Sequence, residues 1–114
     1  MDRAEFRSAI RRGTTLVADH PAAEPGWRAW VAVSNLTARH NEPPGWRNVG
    51  FTVVWHVREW DPHHLENDWC WAEDDGMHTL QRTTSTGEGQ LWLHAERFGG
   101  VAAFTYPWRA GYPG

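Results

Sequence analysis

Between residues 49 and 60, VGFTVVWHVREW, every second position is apolar: Val49, Phe51, Val53, Trp55 and Val57. A period of two sustained over that length predicts a β-strand with one dry face. The alternate set, Thr52, Val54, His56, Arg58 and Trp60, is mixed, which suits the floor of a pocket or a solvent-facing sheet surface. The chain is organised around this strand.

Upstream the period changes. Phe6, Ala9 and Ile10 recur at helical spacing, with Arg3, Arg7 and Arg11 on another face. Asp2 with Glu5 three residues on is a capping pattern, and Gly13 provides a stop, so residues 2 to 12 read as a helix. Residues 14 to 19 predict a short strand ended by His20-Pro21. Residues 27 to 38 predict a second strand, apolar on both sides and therefore central. The paired prolines in RHNEPPG (39 to 45) mark a loop.

After the organising strand, Asp61-Pro62 starts a helical turn over 62 to 67. Residues 68 to 73 and 77 to 84 read as a hairpin about Asp74-Asp75-Gly76. Residues 90 to 98 and 101 to 106 read as a second hairpin, with Leu91, Leu93 and Ala95 on one face and Gly99-Gly100 at the turn. The tail from Pro107 is expected to be irregular. The sum is an α+β fold over 1–114 as one domain: an N-terminal helix packed on a curved, mostly antiparallel sheet of six or seven strands. A small closed β-barrel with the helix at one end is the alternative. Pro-Gly-Trp-Arg occurs at 25 to 28 and 44 to 47, with a fainter copy at Pro107-Trp108-Arg109. Each is expected to be a turn that feeds a strand, with Trp packed under its Arg as a cation–π pair.

Composition removes several function classes. All eleven basic residues are arginine, so there is no lysine for a Schiff base or a P-loop. With Ile10 the sole isoleucine, avoidance of AT-rich codons points to a high-GC bacterial or viral genome. A net charge of −3 argues against a nucleic-acid partner. No run has the roughly 18 apolar residues of a membrane span. Cys70 is the one cysteine, which, with no secretory h-region at the start, makes the cytoplasm the expected compartment. Cys70 has no positive neighbour in sequence, and Ser8, Ser34 and Ser85 lie in no nucleophile elbow, so nucleophilic catalysis is not expected.

Nine tryptophans carry more information, since indole rings serve equally as core fillers and as binding hot spots. The favoured expectation is a non-catalytic binding protein, of the inhibitor, immunity or phage–host interaction type, with another protein as partner and no cofactor. Its surface would be Trp69, Trp71, Glu73, Asp74 and Asp75, the indoles anchoring and the acids steering a basic partner. The alternative is a small enzyme or ligand-binding barrel whose pocket holds His56, Arg58, Trp92, His94 and Glu96, where imidazole beside carboxylate suits general-base or metal chemistry. A structural subunit that self-associates through a strand edge, forming a homo-oligomer, is the third class. His63, His64 and Glu66 are metal-ligand types, but adjacent histidines on a helical turn diverge by about 100° and rarely share an ion.

Overall fold

A computed structural model describes residues 1–36, 52–62 and 76–113. Helix α1 spans Arg3–Arg11. Asp2 caps it, its Oδ1 accepting the Glu5 N–H at 2.8 Å, and Gly13 ends it at φ +85°. Strands β1 (Leu16–His20), β2 (Arg28–Asn35), β3 (Thr52–Trp60) and β4 (Met77–Thr86) follow. They form an open antiparallel sheet in sequence order, β1-β2-β3-β4. β4 runs directly into helix α2, Gly87–Arg97, and the chain continues through a 3-10 turn at Val101–Ala103 to the short helix α3, Pro107–Ala110.

The α+β class holds, but among the described residues the sheet has four strands, not six or seven, and it does not close into a barrel. The largest departure is at 90 to 98, a helix where alternation suggested a strand. Leu91 and Ala95, four residues apart, are buried while Leu93 between them is 56 % exposed, so the working period is helical. Gly99 and Gly100 have the positive φ expected of them, +99° and +82°, but they end α2 instead of turning a hairpin. The Gly100 N–H reaches back to the Ala95 carbonyl at 2.8 Å, which satisfies an end-of-helix acceptor. Residues 101 to 106 then form the 3-10 turn and one bridge to β1 in place of a strand. The tail, expected to be irregular, contains α3. The turn at 62 to 67 beyond Pro62, and the strand at 68 to 73, lie outside the described residues; β4 pairs with β3.

Over 52–60 the organising strand behaves as its alternation demands; Val49 and Phe51 lie outside the described residues. Val53, Trp55 and Val57 are buried together with Leu16, Ala18, Val31 and Val33 beneath Phe6, Ile10, Leu91 and Phe104. On the opposite sheet face a second cluster gathers Val17, Trp30, Ala32 and Trp60, with Met77, Ala110 and Tyr112 packed against it. β2 is therefore covered on both sides, as its apolar pattern implied. The arginine face of α1 is not simply solvated: Arg7 pairs with Glu88 of α2, Arg11 lies 3.9 Å from the same carboxylate, and Arg3 stands over the Trp92 ring.

Candidate interaction surface

The two edges of the sheet differ. Beyond β1, Val17 and Thr105 exchange both backbone hydrogen bonds, at 2.9 and 2.8 Å, so that edge is partly occupied by the chain itself. Beyond β4, no described residue forms a partner strand. β4 is ten residues long, and Thr79, Leu80, Gln81 and Arg82 are exposed in a row. The β3–β4 register slips by one residue there: Val57 lies opposite Gln81 and Arg58 opposite Thr79. Leu80 is the extra residue of this bulge, and its side chain is 39 % exposed.

At the start of β4 a polar cluster fixes the entry of the strand. Glu59 of β3 is the cross-strand partner of His78, and only 1 % of it is exposed. Its Oε2 meets His78 Nδ1 at 2.9 Å, while Oε1 accepts the backbone N–H groups of Ala23 at 2.7 Å and Glu24 at 3.0 Å. Burial pushes the Glu59 carboxyl up, but the Glu24 N–H, the His78 ring and the Ala23 N–H outweigh it and hold it below its ordinary value. The ionised carboxylate thus pins the loop before β2 to the end of the sheet. The imidazole of His78 stacks on Trp27, ring centres 4.6 Å apart and 19° from parallel, which places a half-buried aromatic pair beside the open edge.

The residues expected to share a pocket are divided between the two sheet faces. His56 and Arg58 alternate with Trp55 and Val57 and so lie on the face away from α1 and α2. Trp92, His94 and Glu96 belong to α2, on the other side. His94 is held by its own network: its Nδ1 bonds Ser85 Oγ, which also accepts the Trp55 indole N–H at 2.7 Å. The indole can only donate, so Ser85 Oγ is its acceptor and joins Trp55 of β3 to His94 of α2. Burial, with a smaller contribution from Arg97, lowers the pKa of His94. Trp92 packs on Phe6 under Arg3, and the carboxylate of Glu96 lies near Gly100. His94 thus ties α2 to the sheet and Trp92 ties it to α1, and none of the three α2 residues converges with His56 and Arg58. Trp69, Trp71, Glu73, Asp74 and Asp75, and the metal-ligand types His63, His64 and Glu66, lie outside the described residues.

The described tryptophans range from core to surface. Trp30, Trp55 and Trp60 are core, Trp27 and Trp92 are half-buried, and Trp108 is 71 % exposed. The cation–π contacts expected at the Trp-Arg pairs exist with other rings: Arg28 stands over Trp30 and Arg109 over Tyr106, while Trp108 stacks on Tyr106. In an extended strand adjacent side chains point to opposite faces, so Arg28 cannot cover Trp27 and reaches instead the residue two positions on. The copy at 44 to 47 lies outside the described residues.

Sequence reasoning missed Glu59, His78 and Trp27. One signal was available: Glu59 continues the odd-numbered dry face of β3, and a carboxylate in that row requires a partner. No helix among the described residues is long and apolar enough to cross a membrane. Compared with known proteins, the chain matches no family model, no curated protein and no solved structure.

Proposed function

We propose that this chain is a non-catalytic binding domain that takes a second polypeptide onto its sheet by strand addition at β4. The observation that carries this reading is the asymmetry of the edges: β1 is bridged by Thr105, whereas β4 offers ten residues of backbone with no described partner strand. An added strand would gain main-chain hydrogen bonds along β4 and side-chain anchorage on Leu80 and the Trp27–His78 pair. The acidic, tryptophan-bearing stretch Trp69, Trp71, Glu73, Asp74 and Asp75 immediately precedes β4 in sequence, and in this proposal its charge favours a basic partner. Nothing in the reading requires a cofactor.

Native mass spectrometry of gently recovered protein identifies a stoichiometric companion, and amide exchange on the complex locates it. The expected result is slowed exchange confined to β4 and its approach, with loss of the complex in Leu80→Lys, a charge placed on an open edge. A companion that leaves β4 exchange unchanged, or that survives Leu80→Lys undiminished, refutes strand addition.

A further inference from the structure

On the sheet face away from α1 and α2, two buried donors find no hydrogen-bond partner among the described residues: the indole Nε1 of Trp30, a residue with no exposed surface, and Nε of Arg58. The two residues are direct cross-strand partners on the same face, Trp30 of β2 opposite Arg58 of β3. Tyr112 touches both, its ring 5.9 Å from that of Trp30 and its phenol beside the Arg58 guanidinium. Each unpaired buried N–H has given up water without replacement, a cost that an acceptor placed between them would recover.

Charge on this face says what kind of acceptor. Arg28 lies opposite Trp60 and Arg82 opposite His56, so Arg28, Arg58 and Arg82 occupy successive diagonal positions across β2, β3 and β4. Such neighbours stand about 7–8 Å apart. None of the three has a carboxylate partner among the described residues, and Arg28 is engaged with the Trp30 ring from above at 4.6 Å. Asp19, opposite Trp30 on β1, is the flanking acid, and it forms no ion pair with them. Arg28 and Arg82 are exposed and Arg58 half-buried, which gives the arrangement a dry floor and a wet, cationic rim.

We infer that this face is a receptor for a phosphoryl group, seated on Arg58 and Trp30 with Arg28 and Arg82 at its rim. A guanidinium offers Nε and one Nη side-on to two oxygens of an oxyanion. A tetrahedral dianion has a third oxygen for the Trp30 N–H and two negative charges to set against the three arginines. A carboxylate has two coplanar oxygens and half that charge. The site is distinct from the β4 backbone edge and stands whether or not strand addition does.

The test is a titration of the ¹⁵N-labelled protein with inorganic phosphate at constant ionic strength, following the Trp30 indole N–H, assigned through Trp30→Phe, and the Arg58 Nε–H. Saturable shifts of both signals are expected. Arg58→Lys, which keeps the charge and loses the Nε–H, should weaken the midpoint by about 10–100-fold, the loss of one charge-assisted hydrogen bond. Methyl phosphate in a parallel arm distinguishes an esterified phosphoryl group from the free ion: tighter binding of the ester assigns the former, tighter binding of phosphate the latter. Acetate binding as well as phosphate would overturn the phosphoryl assignment. Absence of a saturable shift in the wild-type protein would overturn the site, and so would an undiminished response in a folded Arg58→Lys variant.

Discussion

Removing the Glu59 carboxylate tests whether one buried ion holds the loop before β2. In Glu59→Ala three hydrogen bonds disappear together: those from the Ala23 and Glu24 amides and that with His78. A hydrogen bond to a charged group contributes about 1.5–3 kcal/mol, so three would amount to several kcal/mol if nothing opposed them. Two effects oppose them. The variant no longer buries an ion, and Ala23 and Glu24 are exposed enough for water to take over their amides. A net loss of about 2–4 kcal/mol results, which for 114 residues lowers the melting temperature by roughly 8–16 °C. Glu59→Gln preserves shape and an acceptor oxygen, so about 1–2 kcal/mol is expected of it.

The pH dependence is the sharper reading. The folded carboxyl has a lowered pKa, so the unfolded chain holds more protons in the window between the two values. The stability that Glu59 contributes is therefore complete above the ordinary carboxylate value and is lost as pH falls through the lower folded one. Thermal melts of wild type and Glu59→Gln should differ by a constant amount from pH 7 down to about 5, then converge in acid. A difference that stays flat into acid, or a Glu59→Ala melting point within about 4 °C of wild type, refutes the pinning role.

The helical reading of 87–97 predicts that Leu91→Ala costs about 2–5 kcal/mol while Leu93→Glu costs under about 0.5, both read by denaturant unfolding; equal costs would restore the strand. Ser85→Ala leaves the Trp55 indole N–H and His94 Nδ1 without their shared partner, and about 2 kcal/mol should be lost in the same assay. Since burial lowers the His94 pKa, protonating it opposes folding: stability should fall as pH drops below histidine's ordinary value, and His94→Gln should flatten that slope in pH-dependent melts. Gly99→Ala places a Cβ 3.2 Å from that of Ala103 at φ +99°, and about 1–2 kcal/mol should be lost by thermal melting.

Where local chemistry decided the structure, the sequence was sufficient. Asp2, Glu5 and Gly13 delimit α1 within a residue of its ends, and the parity of Val53, Trp55 and Val57 sets which face of β3 is dry. At 91 to 95 two periods compete, because Leu91, Leu93 and Ala95 satisfy alternation while Leu91, Ala95 and Phe98 satisfy a helix. Only the packing of α2 on Phe6 and Trp55 separates them. The polar clusters were the least legible. Glu59 finds its partners at 23, 24 and 78, and Trp30 finds its neighbour at 58, through strand pairing that no window along the chain contains. His56 and His94 resemble a pair in composition, yet a sheet one layer thick separates them.

The bridge between Val17 and Thr105 bears on the size of any assembly this chain enters. A sheet with one open edge can accept one strand; if that strand is β4 of a second copy, each molecule consumes the edge of the other and growth ends at a two-fold pair. Strip Thr105 from β1 and the same sheet becomes two-sided, able to stack copy upon copy without a stopping point, which is the geometry of a filament. In such a pair, the two backbone hydrogen bonds between Val17 and Thr105 would oppose further growth from β1.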